Sequence, residues 1–266
     1  SPTTDKHIID SPQREVQIVS GSFRIVSALQ LMFWLHSLRR LIIGNECFVQ
    51  TRVFVVDGLS NLQQIVIGER SFSVAMTERT DGVCRIIQCP RLKTILFGEG
   101  AFTDYSAFEL ENLPSLQSLR LGGCCFLWTP RFVLANLPSL ESITLEDGAF
   151  SCCHAAIMEN LPLLQTITLG NWALNGDSRD NQRMCSRRPY HYQNVLVMRN
   201  LPVLGCMRGK TFNFCYMGMM TFQNIPELSA EAILFQDDYF NHAVSVRFFQ
   251  ATTLAMFVKK RIECLL

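Results

Sequence analysis

The 266-residue sequence contains no Cys-x-x-Cys pair, no Asn-x-Ser/Thr sequon and no apolar run of bilayer length. Each absence narrows the field. There are 11 cysteines, an odd number, and no histidine cluster accompanies the close sets Cys124–Cys125, Cys152–Cys153 and Cys84 with Cys89. That spacing does not suit tetrahedral zinc, so no metal site is expected and most of the cysteines read as small buried residues. The missing sequon and the odd thiol count disfavour a eukaryotic secretory route. The longest apolar stretch, Ile25–Leu35, is broken by Ser27 and Gln30. It falls short of the roughly 20 residues that span a bilayer, so no transmembrane segment is expected. An excess of charge is lacking too: the net charge is +1, which gives no global attraction to nucleic acid or an anionic membrane. The first residues do not read as a secretory signal, and a start at Ser1 rather than Met suits a processed product or an excised domain. Cytoplasm and cell surface both stay open as locations.

What is present is a well-packed composition, 48% hydrophobic and 18% charged, and a repeat. Six segments align without gaps: Leu38–Phe48, Leu62–Phe72, Leu92–Phe102, Leu116–Phe126, Leu140–Phe150 and Leu164–Leu174. They share L-x-x-[IL]-x-[ILF]-G-x-x-[small]-F, with first leucines 24, 30, 24, 24 and 24 residues apart. Degenerate copies follow at Leu204, after a 40-residue gap, and at Leu228, 24 further on. A second period-2 segment recurs in each unit, as in Phe54/Val56, Phe108/Leu110, Phe132/Leu134 and Leu196/Met198. Two short strands per coil, separated by an Asn-Leu-Pro turn, are therefore expected. Val16, Ile18 and Phe23 fit a degraded first unit, and Leu254 to Val258 a last one. One unit cannot bury its apolar face alone, but a stack can. The expected fold is mainly β, a leucine-rich-repeat-type solenoid with coils of about 24 residues. Its organisation reads as a degraded N-terminal repeat or cap over 1–34, regular repeats over 35–174, an inserted polar loop over 175–194, and degenerate repeats with a cap over 195–266.

Three columns of the repeat read as structural. Asn112, Asn136, Asn160, Asn200 and Asn224 are placed to satisfy backbone groups at a corner. Cys47, Ser71, Ala101, Cys125, Ala149 and Ala173 are small by packing need. Gly44, Gly68, Gly98, Gly122 and Gly170 end the strand where the chain turns; no glycine-rich loop leads from them into a phosphate-binding helix.

The run [IL]-x-[IL]-G-x-x-A-F, as in Ile95–Phe102, resembles the BspA-like class of leucine-rich repeats, and Cys153 after Phe150 matches that class's AFxxC in one copy. The likeness covers roughly Leu35 to Phe240. Three features depart from it. The period is slightly long, the Asn expected two residues before Phe is replaced by Glu46, Arg70, Gly100, Cys124, Gly148 and Trp172, and the Asn column lies before the Leu-Pro turn instead. The resemblance implies a binding scaffold, often displayed at cell surfaces, with no catalytic residues and no cofactor to carry over.

Two places could meet a partner. Strand alternation sends Ile42, Val66, Leu96, Arg120, Thr144 and Thr168 outward in one column, with Arg40, Gln64, Thr94, Ser118, Ser142 and Thr166 beside it. Ile42, Val66 and Leu96 would form a small apolar patch, which is either a binding surface or β-propensity alone. The interruption between Leu174 and Val195 carries Arg179, Arg183, Arg187, Arg188, Tyr190, His191 and Tyr192. It is a decorative loop, a protein contact or, less expectedly given Asp177 and Asp180, a nucleic-acid contact. Thr77–Gly82 reads as a plain loop. His7, His36, His154, His191 and His242 occupy unrelated repeat positions, so no catalytic set is expected. Glu46, Glu69, Glu99, Glu146 and Asp147 read as a solvated corner. A non-enzymatic protein-interaction scaffold is the function expected. A surface adhesin binding glycan or host matrix, or a nucleic-acid contact through the arginine loop, is the alternative.

Overall fold

The structure, a computed structural model, describes residues 14–73, 81–178 and 193–263. Two strands per coil alternate along the chain. The N-terminal coils carry β1 (Glu15–Ile18) and β2 (Ala28–Leu31), β3 (Arg40–Ile43) and β4 (Val53–Asp57), β5 (Gln64–Ile67) and β6 (Gly82–Ile87). The middle coils carry β7 (Thr94–Phe97) and β8 (Tyr105–Glu111), β9 (Ser118–Leu121) and β10 (Arg131–Ala135), β11 (Ser142–Leu145) and β12 (Ala155–Glu159). The last three carry β13 (Thr166–Leu169) and β14 (Val195–Arg199), β15 (Cys206–Gly209) and β16 (Met219–Gln223), β17 (Ile233–Phe235) and β18 (Ser245–Phe249), before helix α1 (Thr252–Glu263). The odd-numbered strands form one nine-stranded sheet. The even-numbered strands form a four-stranded and a five-stranded sheet, divided between β8 and β10. Every strand pair is parallel, as stacking successive coils requires. The molecule is a β-solenoid of nine turns.

Alternation explains which side chains enter the core. In β3, Leu41 and Ile43 are buried while Arg40 and Ile42 point away, and β4 buries Phe54 and Val56 in the same fashion. Register follows the repeat: Leu41 lies opposite Ile65, Ile65 opposite Ile95 and Ile167 opposite Met207. The 30- and 40-residue spacings are thus absorbed outside the strands.

The corners are left-handed backbone. In the coil starting at Leu116, Cys124 (φ 56°), Phe126 (φ 52°) and Asn136 (φ 57°) mark three such turns, and Trp172, Leu174 and Asn200 repeat them. For bulky residues this region is costly. The cost is offset inside by a column of stacked rings. Phe72–Phe102 have centroids 4.7 Å apart with planes at 6°, Phe102–Phe126 5.2 Å at 2°, and Phe126–Phe150 5.1 Å at 18°. Phe23 on Phe48 extends the column toward the first coil. Between Phe150 and Phe214 the column holds Leu174, which is also buried.

The asparagine column works differently from the expectation. Its amides bond one another rather than the backbone. Asn160 Nδ2 donates to Asn136 Oδ1 at 2.9 Å and Asn200 Nδ2 to Asn160 Oδ1 at 2.7 Å. Asn also tolerates positive φ better than other side chains, which is the second reason it stands there. The glycine column needs correction too. Gly68 and Gly170 are absent from the positive-φ positions. They are glycine because the coils touch: a Cβ on Gly68 would lie 2.4 Å from Asn45 Oδ1, and one on Gly170 2.4 Å from Asp147 N. The small column before Phe closes the same contact. Ser71 Oγ donates to Gly44 O at 2.7 Å and Cys125 Sγ to Gly98 O at 3.1 Å.

Two sequence expectations fail at the C-terminal end. Leu254 to Val258 are not a strand-bearing unit but the core side of α1, where Leu254, Ala255 and Val258 are buried at helical spacing. The copy at Leu228 is out of step: Met207 lies opposite Ile233, 26 residues on, because a 3₁₀ turn at Ala230–Ala232 takes up the difference. Among the described residues, no helix is long and apolar enough to cross a membrane.

Candidate functional site

The outer face of the nine-stranded sheet gathers the outward column into one row. Gln17, Ile42, Val66, Leu96 and Arg120 lie directly opposite one another on successive strands. Thr144, Thr168, Arg208 and Leu234 continue the row. Neighbours in such a sheet are about 4.8 Å apart, so the face is a continuous strip. Ile42 and Val66 are half-buried and Leu96 is 38% exposed, enough to offer aliphatic surface to a partner. Residues 14–18 run along the edge of this sheet as its first strand, not across its face.

Ion pairs divide the face. Arg40 donates to Glu15 at 3.1 Å and, through Nε, to Gln64 at 3.0 Å. Arg120 holds Glu146 at 2.6 and 3.0 Å with two guanidinium nitrogens on one oxygen. Both arginines are exposed, so these pairs fix side-chain direction more than they stabilise the fold. Arg120, a sequence candidate, thus reaches the face already neutralised. Arg183, Arg187, Arg188 and Tyr190, the loop candidates, lie outside the described residues.

Past Arg120 the face sinks into a groove of about 820 Å³. Its floor carries Thr144 and Thr168, its far wall Leu234 and Phe235, and its rim Asp147 and Lys210. Asp147 is tied into the corner: Oδ1 accepts from Asn171 N–H and Oδ2 from Asn171 Nδ2, each at 2.9 Å, and Lys210 Nζ lies 3.2 Å away. Partial burial works to raise its pKa, but the Asn171 hydrogen bonds and the Lys210 charge outweigh it and hold the carboxyl below its ordinary value. Arg208 stands opposite Thr168 and Leu234. Unlike Arg40 and Arg120 it has no carboxylate partner among the described residues; its Nε donates only to Cys206 Sγ, at 3.2 Å.

Known proteins give no further guide. No family, no curated protein and no solved structure matches this chain. The site therefore rests on its own geometry.

The wall of the groove was not legible as a site from sequence. One signal existed: Arg208 stands four residues after Leu204, the same offset as Arg120 after Leu116. Leu234 could not be placed that way, since the shifted last coil moves it. Among the described residues no group of three or more His, Cys, Asp or Glu side chains could hold a metal ion. His154 pairs with Asp177 at 3.6 Å and contacts Asn194 at 3.3 Å, at the root of the insertion and outside this groove.

The thiols are mostly core. Cys47, Cys84, Cys89, Cys125, Cys153 and Cys215 are buried. Burial pushes the Cys89 thiol up to about 11 and the Cys215 thiol up to about 12, which keeps them protonated and unreactive at neutral pH. Cys124, exposed on the groove rim, is also raised, by partial burial first and then by Glu99 and Asp147.

Proposed function

We propose that this protein is a non-enzymatic interaction scaffold of leucine-rich-repeat type, related to the BspA-like class, that binds a protein partner on the open face of its nine-stranded sheet. The motif repeated in six units, with Glu146 at the Gly position of one and Leu174 at the Phe position of another, supports the repeat type. The observation that carries the binding assignment is the row itself. Ile42, Val66 and Leu96 stand in register on three adjacent strands, next to a groove on the same face. Cross-strand packing stabilises such side chains modestly in any sheet, whereas a partner that covers them adds the hydrophobic term. The opposite side offers half-buried Val133, Ile157 and Val197, but there the strands are split into two sheets, and the smaller cleft between them, about 430 Å³, reaches only Val133 of that row. Enzymatic chemistry has little support. Beside the groove Glu146 is held by Arg120 and Asp147 by Asn171 and Lys210, and the Cys124 thiol on the rim is raised by burial, Glu99 and Asp147, the opposite of an activated nucleophile.

The test is affinity isolation of the tagged chain, followed by reconstitution with whichever protein co-purifies. Ile42→Asp with Leu96→Asp places two charges in the covered row and should weaken the purified complex roughly a hundredfold. An unchanged complex, with the double variant folded by circular dichroism, would refute the assignment.

A further inference from the structure

We infer that the groove at the C-terminal half of this face takes an extended peptide segment of the partner, an acidic residue followed by a large apolar one, with the carboxylate on Arg208 and the apolar side chain on Leu234. This rests on the scaffold reading and adds the chemistry of the segment recognised.

Three observations converge. Of the three arginines on the open face, Arg40 and Arg120 are each bound to a glutamate, and Arg208 has no such partner among the described residues. A guanidinium donates in a planar fork that suits a carboxylate, and beside a low-dielectric wall that pairing strengthens. The wall is present: Leu234 is 49% exposed, directly opposite Arg208 on the neighbouring strand, and Phe235 packs behind it on Phe214, Tyr239 and Phe257. On the other side of Arg208 the floor is Thr168 and Thr144, hydroxyls able to donate to or accept from a peptide backbone.

Dimensions and charge fix the class. From Thr144 to Leu234 the row crosses three strand spacings, roughly 14 Å, the length of about four extended residues. The rim already holds Asp147 and Glu146 and the lining includes Glu99. One unpaired cation in that surrounding matches a single negative charge. A doubly charged phosphate would meet the same carboxylates with twice the repulsion. Basic segments are disfavoured by Arg208 itself, and fully apolar ones would leave it desolvated and unpaired.

The experiment uses the whole chain and fluorescein-labelled, end-blocked Ser-Glu-Leu-Phe-Ser, with Gln, Lys and phosphoserine versions at the second position, read by anisotropy. The Glu peptide should bind up to about fivefold more tightly than the Gln peptide, the ratio an exposed guanidinium–carboxylate pair supplies. Arg208→Gln should erase that preference, and Arg208→Glu should transfer it to the Lys peptide, a gain that a misfolded variant could not show. Equal binding of the Glu and Gln peptides, tighter binding of the phosphoserine peptide, or a preference that survives Arg208→Gln would overturn the inference. The scaffold reading fails separately. If the Glu peptide shows no preference while Ile42→Asp with Leu96→Asp still abolishes the partner complex, the groove assignment is wrong and the face assignment stands.

Discussion

Phe102 offers a substitution whose sign, and not only its size, follows from the geometry. Its ring is fully buried, stacked on Phe72 and Phe126 and tilted against Phe97 at 4.9 Å, while its backbone sits at φ 57°. Truncation to alanine should cost about 3–5 kcal/mol for the lost burial and the cavity, and about 1 kcal/mol more for each parallel stack. Leucine, which occupies this column at position 174, should cost about 1–2 kcal/mol. Glycine separates backbone from packing. At most sites glycine is less stable than alanine by about 0.5–1 kcal/mol. At a left-handed position that order reverses, since alanine carries a penalty of about 1 kcal/mol that glycine escapes. Phe102→Gly should therefore be more stable than Phe102→Ala. At Phe97, buried in strand β7, glycine should be the worse of the two. Urea unfolding followed by far-UV circular dichroism, compared as midpoints at unchanged slope, reads both orders. If glycine ranks below alanine at both positions, the left-handed corner is not what shapes this column.

Other consequences are smaller and as direct. Asn136→Gly keeps the corner and loses one ladder amide, so it should cost about 1 kcal/mol; Asn136→Ala, which also strains the backbone, should cost about 2 by the same denaturation assay. Gly68→Ala forces a methyl group against the neighbouring coil and should destabilise by about 2–3 kcal/mol. Gly205→Ala, with nothing nearer than 3.9 Å, should stay within about 0.5 kcal/mol. Because the Asp147 carboxyl lies below its ordinary value in the folded chain, its contribution is present above the unfolded value of about 3.9 and is lost as pH falls through the lower folded value. Asp147→Asn should thus flatten the acid limb of a melting-temperature profile below about pH 4, and an identical acid limb would count against the Asn171 and Lys210 contacts. In the folded chain a maleimide should label Cys124 and Cys206 long before Cys84, Cys89, Cys125, Cys153 or Cys215, as read by peptide mass spectrometry.

Much of this was written in the sequence because stacking forces neighbouring coils to solve the same problem. Leu41, Ile65, Ile95 and Leu119 recur because each faces the same core from the same strand position, and the period-2 pattern around them gave both strands of each coil. The corners were less legible. An aromatic residue carries no signal of positive φ, so nothing in the Phe column announced a left-handed corner, and the glycines suggested turns although their reason lies one coil back in the chain. The end of the array misled for a related reason. Ile233 follows Leu228 by five residues, the offset of the second core position of each strand, yet the 3₁₀ turn moves it into the first, opposite Met207. Of the candidate site, Ile42, Val66 and Leu96 followed from alternation, and the structure sets them side by side. Arg120 followed too, but its engagement with Glu146, two positions past the strand pairing, depends on side-chain direction. The groove needed the coil beyond the insertion to be in place, since Arg208 and Leu234 reach Thr168 only through pairings 40 and 26 residues long.

The face assignment is tested most directly by photocrosslinking in intact cells, with a benzophenone side chain placed at Val66 on the nine-stranded sheet or at Ile157 on the five-stranded one. A single defined protein adduct at Val66, absent at Ile157 and lost when Ile42→Asp and Leu96→Asp are added, is the expected result. Adducts of equal yield on both sheets, or a Val66 adduct indifferent to the two aspartates, would contradict it.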